Sequence, residues 1–151
     1  MSRVVVNEIE AKVGNDITFN DTVKIDTIKG KTTAGSVTVQ GEGTATTNLQ
    51  QGLSKCWFQI IQDSTHTLED SLNVSSIVDA GAGETTVNFG NTMNNNDWAG
   101  QLTTQSANNR RAMNNAPNTT RIKVEVYQVS SNSNPADATG GVSGTIHGDL
   151  A

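Results

Sequence analysis

Apolar and polar residues alternate along most of this chain with a period of two, the signature of strands with one buried face. In the first stretch, from residue 4 to about 29, Val13, Ile17, Phe19, Val23 and Ile25 share one side, and Asp16, Thr18, Asn20, Thr22, Lys24 and Asp26 the other. Gly14-Asn15-Asp16 and Asn20-Asp21 punctuate this stretch as turns. Five apolar side chains do not offset the ordering entropy of about 25 residues at roughly 1–2 kcal/mol each. The arm over residues 1–29 is therefore either disordered or has its apolar face, made by those five side chains, covered by another chain, and the alternation favours the second.

Residues 30–47 are rich in Gly and Thr and read as a hinge holding one short strand around 36–40. Residues 48–52 suit a helical turn, and the apolar run Leu53–Ile61 suits a buried strand. Leu68–Asp79 and Glu84–Phe89 read as two strands of a hairpin joined by Ala80-Gly81-Ala82-Gly83. Leu72 and Val74 would share a face on its first strand, Val87 and Phe89 on its second. Between 90 and 120 the Asn-rich stretches read as long loops around one strand near 98–104. Thr120–Ser130 alternates again, with Ile122, Val124 and Val126 inward and Arg121, Lys123, Glu125 and Tyr127 outward. Residues 131–151 are small and polar and read as an extended surface tail. No helical period of useful length appears. The expected fold is all-β: an antiparallel β-sandwich or jelly-roll-like body over 48–130, with an extended N-terminal β arm.

Composition supports a small core. Of 151 residues, 34% are hydrophobic, 17% charged and 4% aromatic. Asn, Thr, Ser and Gly fill about two-fifths of the chain. Disordered chains tend to be rich in charge and Pro, and this one has only 2 Pro. A net charge of -5 and dispersed cations leave no basic footprint for nucleic acid. No apolar run approaches the roughly 20 residues of a membrane-spanning helix, and the N-terminus does not read as a signal peptide. The expectation is a protein made in a cytoplasm, with no membrane insertion.

Candidate chemistry is sparse, and no cofactor is expected. Cys56 is the single cysteine and sits among apolar neighbours, where a buried, unreactive thiol is expected. His66 and His147 lie 81 positions apart with no ligand spacing around them, so no metal site is expected and His66 reads as a loop residue. Gly30-Lys31-Thr32 mimics a phosphate loop, but its upstream glycine is missing, with Ile25 in that place. Glu69 and Asp70 adjoin on a strand and would point to opposite faces, a poor acid–base pair. An enzyme is not expected. Trp98 beside Asn94, Asn95 and Asn96 admits two readings. A planar aromatic next to amides suits a sugar-binding loop, and a single tryptophan anchoring a loop to the core looks the same.

Three phrases resemble virion structural proteins of marine T7-like tailed phages such as those of cyanobacteria, in their tail-fibre and appendage proteins. These are Ile25–Gly43, Thr47–Phe58 and Asp70–Phe89, with matching residues Lys55, Trp57, Asp70, Asn73, Val74, Ser75, Ser76, Gly81 and Gly83. The resemblance covers roughly residues 20–130 and carries no catalytic motif. It implies a homotrimer, because virion fibres are commonly trimeric and an apolar arm needs symmetric partners. It also implies a place in the virion and contacts with other virion proteins of capsid or tail. Fibre proteins usually extend further, which favours a short fibre-like appendage. The alternatives are a capsid decoration (cement) protein and a carbohydrate-binding module that attaches to a host surface glycan.

Overall fold

The computed structural model describes residues 20, 22–30, 37–40, 44–105, 110–115, 117–129 and 134–150. Val13, Ile17 and Phe19 of the arm lie outside the described residues. Within them the chain forms ten strands and one helical turn: β1 (Thr38–Gln40), β2 (Thr46–Asn48), α1 (Leu49–Gly52), β3 (Cys56–Ile61), β4 (Thr67–Leu72), β5 (Val74–Gly81), β6 (Glu84–Phe89), β7 (Ala99–Thr104), β8 (Arg110–Asn115), β9 (Arg121–Gln128) and β10 (Val142–His147). The strands build a β-sandwich of two four-stranded sheets, ordered β4-β3-β10-β7 and β5-β6-β9-β8, with β1-β2 as a separate ribbon. Every pairing is antiparallel. The all-β expectation holds.

The core lies between the sheets and follows the pleat. Cys56, Phe58 and Ile60 enter from β3, Val87 and Phe89 from β6, Ile122, Val124 and Val126 from β9, and Val142 and Ile146 from β10. Several boundaries differ from expectation, each for a local reason. Residues 131–151 are not a surface tail, since 142–147 form β10, hydrogen-bonded to both β3 and β7 in the middle of its sheet. Its low hydrophobicity hides the strand because an inward position is glycine. A Cβ on Gly144 would collide with the Phe58 ring and sit 2.8 Å from Leu102 Cδ2. The arginine and asparagine of 110–115, read as loop, form edge strand β8, paired along its whole length with β9 while Ala112 packs against the core.

Leu68–Asp79 is not one strand. Asn73 takes a left-handed backbone (φ 59°) and passes the chain from the first sheet to the second. Leu72 consequently points outward from the first sheet while Val74 turns inward on the second, so the two share no face. Asn73 Nδ2 donates to the carbonyls of Lys55 (3.0 Å) and Asn91 (3.1 Å), and Asn73 Oδ1 accepts from Asn91 N–H at 2.5 Å. One side chain thus ties together the entrance to β3, the crossover and the exit from β6. Val87 and Phe89 both face the core as expected. The hairpin turn shrinks to Ala82-Gly83, with left-handed backbone at Gly83 (φ 70°). A side chain there would lie 2.5 Å from Ala136 N, so the site demands glycine twice over. Finally, the apolar run Leu53–Ile61 is not buried throughout: Leu53 precedes β3 and is exposed, and on the outer face of β3 Trp57 is exposed and Ile61 half-buried.

Candidate functional site

Two polar clusters and two exposed apolar surfaces are the features with functional potential. The first cluster is buried at one end of the sandwich. Gln62 Oε1 accepts from Ala138 N–H (3.2 Å), and Gln62 Nε2 donates to Thr85 Oγ1 (3.0 Å). Thr85 Oγ1 lies 2.8 Å from His66 Nδ1. On the other side of the ring, His66 Nε2 faces Asp137 Oδ1 at 3.5 Å. Asp79 Oδ1 stands 3.6 Å from Nδ1, and Asp137 Oδ1 also accepts from Gly83 N–H at 2.5 Å. His66 belongs to a loop, as expected, but it is buried rather than a solvent-facing residue.

Hydroxyl, imidazole and carboxylate in a row look like a nucleophilic relay. Thr85 is fully buried and the His66 side chain is 1% exposed, so no substrate carbonyl reaches the hydroxyl in this arrangement. What the network does is fasten the β3–β4 loop, the β5–β6 hairpin and the segment before β10 to one another. Burying these polar groups is affordable because each finds partners.

The second cluster covers the outer face of the second sheet. Glu84 and Glu125 are direct cross-strand neighbours, a repulsive pairing by itself. Lys123 Nζ bridges them, 3.1 Å from Glu84 Oε2 and 2.9 Å from Glu125 Oε1. Asn115 Nδ2 (2.7 Å) and Tyr127 O–H (2.9 Å) also donate to Glu125. Burial pushes the Glu125 carboxyl up, but hydrogen bonds from Lys123, Asn115 and Tyr127 outweigh it and hold the group below the usual carboxylate range. Hydrogen bonds to Glu125 and then Glu84 push Lys123 up, and the bond to Glu125 does the same for the Tyr127 phenol. On the opposite sheet Cys56 is fully buried, and burial pushes its thiol up to about 12.

Trp98 is 8% exposed. Its Nε1–H donates to Asn118 O (3.2 Å), and its ring meets Phe89 edge-on at 6.0 Å and 78°. Such an indole anchors the loop to the core, the second of its two readings, and presents little of its face to solvent. Asn94, Asn95 and Asn96 are exposed, and Asn95 Oδ1 caps a local turn by accepting from Asp97 N–H at 2.9 Å. One buried acceptor in this end of the molecule, Asn114 Oδ1, is left without a hydrogen bond among the described residues.

The apolar surfaces are of another kind. Val23, Ile25 and Ile28 in segment 22–30 are 45%, 58% and 61% exposed. On the outer face of the first sheet Trp57 and Leu72 are cross-strand partners and both stand in solvent. Sequence reasoning placed Trp57 in a buried run; the signal it missed was the alternation itself, which sets Trp57 opposite Cys56 and Phe58. Glu69 and Asp70 do not form an acid pair: a bulge opposite Gln59/Ile60 leaves both exposed, with Glu69 accepting from Thr67 Oγ1 at 2.9 Å. Among the described residues no group of His, Cys, Asp and Glu is disposed to hold a metal ion, and no helix is long and apolar enough to cross a membrane. No family model, no curated protein and no solved structure matches the chain.

Proposed function

We propose that this chain is a non-enzymatic bacteriophage virion structural protein, a short trimeric fibre-like appendage held to the particle by its N-terminal arm. The observation that carries the reading is segment 22–30, whose Val23, Ile25 and Ile28 are exposed while the body buries its own core. Burial of such side chains contributes roughly 1.5–3 kcal/mol each, and a second chain is the natural place to gain it. The phrases that resemble tailed-phage appendages support the same reading from another direction. Lys55, Asn73, Ser75, Gly81 and Gly83 sit at the crossover, bulge and turn of the sandwich, so the likeness falls on residues that shape a head domain.

The reading is tested by the solution mass. Light scattering is expected to return three times 15.9 kDa. Deleting residues 1–29 should leave a folded body that no longer enters particles; unchanged incorporation would refute the arm's role. Counting copies per particle separates this reading from capsid decoration, since a cement protein matches the shell subunits in number and a tail appendage does not.

A further inference from the structure

We infer that Lys55 anchors an oxyanion site at the entrance to β3, taking a carboxylate or phosphate oxygen whether or not the chain is trimeric. Lys55 lies between α1 and β3 and is 8% exposed, the only lysine so buried among the described residues. Its Nζ donates to the Leu53 carbonyl at 2.8 Å, and among the described residues no carboxylate pairs with it. An ammonium carries three N–H donors, so Leu53 satisfies only one of them. A cation taken out of water is costly unless it is paired and hydrogen-bonded. Lys123 shows the contrast: its side chain is 33% exposed, yet two glutamates hold it.

The residues around Lys55 fix its place. Its N–H donates to Ile146 O at 2.8 Å, and its carbonyl accepts from Asn73 Nδ2 at 3.0 Å, so the backbone is held from both sheet and crossover. The adjoining Ser54 Oγ donates to Cys56 O at 2.8 Å and lies 2.9 Å from Thr145 Oγ1. The lysine side chain curls back two residues to Leu53, whose own side chain is 56% exposed, so the ammonium stands close to the surface. A cation that is largely dehydrated, held in position and short of acceptors is preorganised for an anion, which supplies the acceptor that folding left out. The net charge of -5 gives the molecule no general attraction for anions, so binding at Lys55 is local. The other buried ionisable groups do not make such a site. Glu125 already has three donors, and His66 is enclosed by Thr85, Asp79 and Asp137.

The test uses the full chain with sodium phosphate and sodium acetate as probes, each compared with sodium chloride at equal ionic strength and pH. The Lys55 Cε and Nζ resonances are expected to shift saturably with the probe, while those of the exposed Lys24 and Lys29 stay in place. Phosphate should also raise the melting temperature of the native chain by about 2–4 °C more than that of Lys55→Met. A response to both probes would mean that one oxyanion oxygen is enough and a partner's carboxylate can take the seat. A response to phosphate alone would assign the site to phosphoryl groups. Unmoved Lys55 resonances with either probe would overturn the inference, and so would equal thermal shifts in the two chains. Lys55→Met that is the more stable chain in chloride, with no anion response in either, would make Lys55 an uncompensated buried charge and nothing more. The resonance measurement needs no substitution, so it decides the matter even where Lys55→Met fails to fold.

Discussion

The two outer faces of the sandwich are built from the same pleat and finished in opposite ways. On the second sheet the outward residues satisfy one another: Lys123 sits between two opposed glutamates, and Asn115 and Tyr127 complete the shell around Glu125. On the first sheet the outward row ends in Trp57 and Leu72, cross-strand partners that both remain partly in solvent. A face closed by internal hydrogen bonds gains little from a partner. A face that leaves an indole and a leucine in water gains from being covered.

That contrast depends on the crossover that keeps the two sheets apart, and breaking it should have the largest effect. Asn73→Ala loses three side-chain hydrogen bonds and strains a left-handed residue, an expected cost of about 3–4 kcal/mol by denaturant titration. Asn73→Gly keeps the backbone and loses only the bonds, so it should fall short of that by about 1 kcal/mol. Equal costs for the two would mean that the backbone angle carries none of the constraint. Next comes Gly144→Ala, which drives a methyl into Phe58 and Leu102 and should cost about 1–3 kcal/mol.

Glu125→Gln tests the closed face. It exchanges a carboxylate with three donors for an amide and should cost about 1–2 kcal/mol. The same group predicts an acid limb. Its folded carboxyl titrates below the unfolded value of about 4.3, so its stabilisation is present above that pH and is lost as pH falls through the folded value. The melting temperature of the native chain should drop in that window more steeply than that of Glu125→Gln. Identical acid limbs would show that Glu125 is not the group responsible. The smallest effect on the folded body belongs to Trp57→Ser alone, about 1 kcal/mol, because the side chain lies on the outer face and is 37% exposed. If it instead destabilises a monomeric body by several-fold more than this, Trp57 is part of the core and the two faces are not different in kind.

How legible all this was differs between the clusters. The inward rows of β3, β6 and β9 could be read directly, because alternating apolar residues leave one choice of face. The His66 network could not, since Gln62, His66, Thr85, Asp79 and Asp137 come from three separate stretches and only folding brings them within hydrogen-bond reach. Of the two tryptophans, Trp57 was misplaced by its apolar neighbours and is exposed, while Trp98 is buried as the anchoring reading has it.

Period-two patterning and turn residues were sufficient to establish an all-β chain with a small core, because strand formation and amphipathicity are local properties. Position in a sheet is not local. β10 owes its central place to the fit of Gly144 beneath Phe58, and β8 is a strand because β9 offers it a full ladder of partners. Which face of β3 meets the core, and so which tryptophan stands on the outer face, was settled by the second sheet closing over Cys56, Phe58 and Ile60.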